Sequence, residues 1–182
     1  MFISLIQKRR SIRKFLEKAV EIEKIDLLIE AALRAPSSRG LNPWEFIVVT
    51  DQALLERLSG AKQHGSAFLR DAPLVIVVCA DPDRCDVWVE DASIASVFIQ
   101  LAAESLSLGS CWIQIRERMH DGKKSAQEYV AETLQIPVKM KVESIIAIGY
   151  PDEKKPPGGK DELLYEKVHS DSYGRPYYKV AV

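Results

Sequence analysis

Cysteine is scarce in this chain of 182 residues: Cys79, Cys85 and Cys111 are the only three, and no CxxC pair occurs. An odd, sparse count excludes a disulfide framework and fits a reducing, cytoplasmic compartment. Histidine is equally scarce, and His64, His120 and His169 are far apart in the sequence. Zinc-type ligand spacing is therefore lacking, and no metal site is expected. Long apolar runs are missing as well. None approaches the roughly 20 residues that cross a bilayer, and "MFISLI" runs straight into charge where a signal peptide would stay apolar. Charge of one sign is also absent, because the formal net charge is -1. Bulk binding to nucleic acid or a membrane is not expected, so any recognition of an anion has to be local. The phosphate and nucleophile motifs fail too. "PPGGKDE" lacks the spacing of a P-loop, "LSLGSC" is not GxGxxG, and no GxSxG elbow occurs.

The elements that are present read as one domain spanning 1–182. Apolar spacing predicts a helix from Phe2 to Phe15 and a second from Glu21 to Ala35, stopped by Pro36. "WEFIVV" reads as a strand, Asp51 as the N-cap of a short helix, and "PLVIVVCA" as a strand buried on both faces. Glu90 to Leu108 is predicted as a helix that is apolar nearly all round, which asks for cover on every side. A subunit interface would supply that cover, and so would a monomer's central core. "SCWIQI" and "VESIIAIGYP" are further strands, and Ser125 to Leu134 is another helix. From Asp152 onward the composition turns polar and rich in Pro and Gly, so 152–182 is expected to be an extended C-terminal tail. Strands and helices interleave, which gives a mixed α/β or α+β class.

Two stretches stand out chemically. "KRRSIRKF" crowds five cations into its first seven residues. On a helix, Arg9 and Arg13 would share a surface at mutual cost. A phosphate dianion would convert that repulsion into charge-assisted hydrogen bonds, with the Ser11 hydroxyl as a neutral donor. A solvated cationic face is the other reading of the same residues. "APSSRGLNPW" is a hydroxyl-rich loop that either lines a polar ligand or simply joins a helix to a strand. The Glu90-Asp91 pair is explained by the dipole at a helix start.

The order of segments carries more than any one of them. RRSIR in the first helix is followed by APSS and PW. Then come DAP before a buried strand, ED opening a long apolar helix, LGSCWI, and IAIGYP. Over roughly residues 4 to 170 this order resembles the FMN-dependent nitroreductase family, in its shorter branch. The resemblance implies an α+β fold with three α/β/α layers. A central mixed, mainly antiparallel sheet would be flanked by helices and built into an interlocked homodimer with FMN sites at the subunit interface. It implies that Arg9, Arg10, Ser11 and Arg13 grip the FMN phosphate, with Lys160, or failing that Lys155, adding a late cation. It implies that Pro36, Ser37 and Ser38 meet the flavin of the partner subunit. Asn42 stands where the family commonly has Gln. Trp112, Ile113 and Gln114, within the segment that begins at Cys111, would lie along the flavin ring.

The implied activity is FMN-dependent oxidation of NADH or NADPH coupled to reduction of a small nitroaromatic, quinone or similar electron-poor acceptor. Hydride would pass through the flavin by turns, with no essential catalytic side chain. Dehalogenation, dehydrogenation by the same type of flavin enzyme, and a low-turnover redox protein are the alternatives.

Overall fold

The computed structural model describes residues 2–177. Its helices are α1 (Phe2–Lys8), α2 (Ile22–Leu33), α3 (Gln52–Ser59), α4 (Trp88–Ser105) and α5 (Ala126–Leu134). Its strands are β1 (Trp44–Val49), β2 (Leu74–Ala80), β3 (Gly109–Gln114) and β4 (Lys141–Gly149), in the spatial order β1-β2-β4-β3. All three pairings are antiparallel. The parallel component is a single bridge between Ser11 and Ser110.

Alternation along the strands builds the layers. Val75, Val77 and Cys79 of β2 face a core that holds Leu55 and Leu58 of α3 and Val130 of α5. Leu74, Ile76, Val78 and Ala80 face the other way, toward Leu28 of α2 and Ile99 of α4. Every residue of β2 is buried, as a strand covered on both sides requires. The arrangement is the expected α+β, with helices on both faces of a mainly antiparallel sheet.

One bulge interrupts the sheet. Val78 pairs with Ser144 but Cys79 pairs with Val142, so Glu143 is the extra residue. Its carbonyl accepts the amides of both Ile115 and Arg116 at 3.1 Å, which ends β3.

Local caps match the sequence. The Asp51 side chain accepts from the Leu54 amide at 2.9 Å. Ser125 and Glu128 form a reciprocal capping box at the start of α5.

The first helix departs from expectation. It ends at Lys8, and Arg9 to Phe15 is not helical, with isolated bridges from Ser11 to Ser110 and from Phe15 to Pro151. The Ile12 amide donates to the Ser110 carbonyl at 2.9 Å, the Leu16 amide donates to Tyr150, and the Asp152 amide donates to Lys14. Ile12 and Phe15 are buried in the core. Burying them against β3 and the end of β4 outweighs local helix propensity. Gly109 makes the approach feasible, since a Cβ there would sit 2.8 Å from the Cβ of Ile12.

Helix α4 is also less enclosed than its composition suggests. Ala92, Ala95, Ile99 and Ala103 are fully buried, but Ile94 and Val97 stay 38% and 47% exposed. Among the described residues, no helix is long and apolar enough to cross a membrane.

Candidate functional site

The loss of helix beyond Lys8 changes which cations act together. Arg9, Ser11 and Arg13 lie near Cys111, whereas Arg10 is directed to the C-terminal segment. Arg10 accordingly donates to the carbonyl of Pro156. Arg9, Arg13 and Lys155 all lie close enough to the Cys111 thiol to favour its ionised form. Burial dominates nonetheless and pushes the Cys111 pKa up.

The C-terminal segment braces this cluster from outside. Lys155 Nζ donates to the Ser11 carbonyl at 2.6 Å and pairs with Glu153 at 3.0 Å. Glu153 accepts the Arg13 amide at 2.5 Å, and that bond holds its carboxyl below the usual range. Lys160 is exposed in a 3-10 turn, Lys160–Glu162, and among the described residues no hydrogen bond or ion pair joins it to the cluster. Lys62 lies within electrostatic range of Cys111 as well; burial, reinforced by Arg118, lowers its pKa.

Strand β3 runs from this cluster along an edge of the sheet. Ser110 turns its carbonyl outward to Ile12. By antiparallel alternation, Trp112 and Gln114 turn their backbone groups to the same open edge. Ile113 does the reverse and sits 2% exposed in the core beside α3 and α5. The side chains of Trp112 and Gln114 point toward α4 and form a directed chain. Trp112 Nε1 donates to Gln114 Oε1 at 2.9 Å, and Gln114 Nε2 donates to Glu143 Oε1 at 3.1 Å. Glu143 is buried, and its other oxygen has no partner among the described residues. Burial pushes its pKa up, partly offset by the bond from Gln114. The α4 start lies beside this chain, since Glu90 also raises the Glu143 pKa and Trp88 lies 5.9 Å from the Arg116 guanidinium.

The hydroxyl-rich loop meets the same helix start. Ser37 Oγ accepts from the Asn42 amide at 3.0 Å and donates to Asn42 Oδ1 at 2.7 Å. Asn42 is thus folded back onto its own loop. The Ser38 amide donates to Asp91 Oδ1 at 2.8 Å, and the Cys85 thiol donates to Asp91 Oδ2 at 3.3 Å. Pro36 is exposed at the loop's entrance. Asp91 is 2% exposed, so it serves as a buried anchor as well as a dipole partner. A carboxylate on a helix with hardly any polar face was the signal for that role, because such a group has to be partnered.

The donor set suits a phosphorylated planar cofactor. Guanidinium, ammonium and hydroxyl groups lie together at one end of β3, a donor set whose chemistry fits a dianion, and the outward edge of the strand runs on beside them.

Comparison with known proteins gives the same reading. The model described as "Nitroreductase family" matches residues 6–65 and 60–150. A protein of Archaeoglobus fulgidus provisionally named NADH dehydrogenase/NAD(P)H nitroreductase is 35% identical over 94% of this chain and 98% of its own length. An FMN reductase [NAD(P)H] of Bacillus subtilis is 27% identical over 94% of this chain and 74% of its own. Among solved structures, an FMN-dependent nitroreductase from Clostridium difficile R20291 is 51% identical, with a TM-score of 0.93 over 94% of this chain and 99% of that one.

Proposed function

Because the chain belongs to the nitroreductase family, we propose that it is an FMN-dependent oxidoreductase drawing on NADH or NADPH and reducing a small, electron-poor acceptor such as a nitroaromatic or a quinone. The observation that carries this reading is the convergence of Arg9, Ser11, Arg13 and Lys155 beside Cys111 at one end of an open strand edge. When bound, flavin supplies the redox chemistry, with hydride taken from the nicotinamide and reducing equivalents passed to the acceptor in alternating half-reactions. The chain's own task is to bind and orient. Arg9, Arg13, Lys155 and Ser11 would hold the phosphate, and the outward backbone groups of Trp112 and Gln114 would offer hydrogen bonds to the ring.

The homodimer is part of the same proposal. One surface cavity, about 930 Å³, is lined by residues such as Leu16, Val20, Thr50 and Pro73 and contains none of the expected FMN residues. Another, about 250 Å³, lies on the exposed apolar face of α4, formed by Ser93, Ile94, Val97 and Phe98. Helix α1 leaves Phe2, Ile3 and Ile6 largely exposed. Such apolar surface suits a second copy and leaves each cofactor site to be completed between subunits.

An absorption spectrum of protein purified without added cofactor, with identification of any released chromophore, tests the reading. Flavin bands and released FMN support it. A colourless protein that also fails to bind added FMN overturns it. In a second test, Arg9→Ala and Arg13→Ala should each lower FMN occupancy more than they alter turnover of the flavin-loaded protein.

A further inference from the structure

We propose that Asp91 is a positioning residue for the flavin site, its buried carboxylate fixing the Pro36–Ser38 loop in the conformation through which that loop meets the cofactor. The inference rests on the flavin reading above and names a residue that reading does not use.

The loop is locally strained. Arg39, Gly40 and Asn42 have φ of 55°, 66° and 47°, so two non-glycine residues occupy the left-handed region within four positions. Such a turn persists when its surroundings hold it. Three contacts from one segment do so. Asp91 takes the Ser38 amide, Asp86 pairs with Arg39, and Arg84 donates to the Leu41 carbonyl at 3.2 Å. The Arg39 and Asp86 side chains are 64% and 78% exposed, so solvent screens that pair and it contributes little. Asp91 alone is buried, with both oxygens engaged. A helix-dipole role would be met by an exposed carboxylate in the first turn of α4. The bond to Ser38 places a specific demand on the loop that a dipole does not.

The test compares Asp91→Ala with Asp91→Asn by FMN titration of the apo-protein. Asparagine keeps an acceptor for the Ser38 amide and turns its own amide toward the Cys85 sulfur. Losing a hydrogen bond to a charged group predicts an FMN Kd raised about ten- to a hundredfold in Asp91→Ala, and within about threefold of the parent in Asp91→Asn. Ser38→Ala and Ser38→Pro give the same comparison with Asp91 left in place. Ser37 is extended, with φ -133° and ψ 157°, which suits a following proline. Proline replaces the amide hydrogen that Asp91 accepts by a ring carbon facing the carboxylate, so Ser38→Pro should bind FMN more weakly than Ser38→Ala, by about tenfold or more.

Equal binding by the two Ser38 variants overturns the proposal, as does Asp91→Asn losing as much as Asp91→Ala. If Asp91→Ala does not fold, the Ser38 pair decides the matter. Parent-like binding by Asp91→Ala, while Arg13→Ala loses FMN, overturns the positioning role and leaves the flavin reading standing. Failure of the parent protein to bind FMN overturns both.

Discussion

The Lys155 ammonium donates to the Ser11 backbone carbonyl at 2.6 Å, across 144 residues of sequence. This contact sets Lys155, rather than the exposed Lys160, beside Arg9 and Arg13. Lys155→Ala should raise the FMN Kd about tenfold or more, by loss of a charge-assisted contact, while Lys160→Ala stays near the parent. Arg10→Ala should weaken binding less than Arg13→Ala, since Arg10 is directed to Pro156. Fluorescence titration of FMN checks the ranking, and an Arg10→Ala loss equal to that of Arg13→Ala would contradict this division of the arginines.

Gly109 and Ile12 cannot both carry a Cβ at their present separation, because the added atom would lie 2.8 Å from the Ile12 Cβ. Gly109→Ala should destabilise the protein by about 1–3 kcal/mol, the usual cost of overpacking. Thermal unfolding of Gly109→Ala, Ile12→Ala and the double variant measures it. The two substitutions should be clearly non-additive, with the double variant recovering part of the loss. Strict additivity would mean that the two residues do not meet.

Glu143 sets a pH dependence whose sign follows from its burial. Its folded pKa is raised, so the native state holds more protons than the unfolded chain above the ordinary carboxylate value of about 4.3. Stability at this site therefore falls as pH rises from there through the raised folded value. Glu143→Gln should remove the decline while keeping an acceptor for Gln114. Denaturant unfolding of parent and variant from about pH 4 to 8 gives the difference, and parallel curves would refute the assignment.

The exposed apolar residues of α4 make a prediction about assembly. Val97 is 47% exposed within one chain. Val97→Asp should shift a dimer toward monomer in sedimentation and lower FMN occupancy with it, because a charge inserted into an apolar interface is costly. A dimer that persists unchanged would place the interface elsewhere.

Much of the architecture was legible in the sequence. The all-apolar run of β2, the Asp51 cap and the breaks at Pro36 and Gly109 each carry their own physical signature. The candidate site stands out in the sequence through the residue types of "RRSIR" and the loop at Ser37 and Ser38, but its geometry does not. Helical spacing pairs Arg9 with Arg13 and Arg10 with Arg13, whereas the structure gathers Arg9 and Arg13 near Cys111 and directs Arg10 to Pro156. What decides this is a contact with Ser110, nearly a hundred residues away, which no local window contains. Asp91 illustrates the same limit. Its place at a helix start was plain, but its bond to Ser38 depends on how α4 docks against a distant loop. Glu143 was invisible as a special residue because a bulge is a relation between two strands.

The tethering of Arg9 to Leu16 also dictates an order of events during synthesis. The acceptors and donors that hold this segment are Ser110, Tyr150, Asp152, Glu153, Lys155 and Pro156. Arg9, Arg10 and Arg13 have to wait for residues 150–156 to be made before their cluster takes shape. Contacts that close such long loops form late in folding. Any anion that the cluster holds is therefore captured only after residues 150–156 have been made. A chain truncated before Glu153 would keep its sheet-forming strands β1 to β4 but would lack the brace around Ser11 and Arg13.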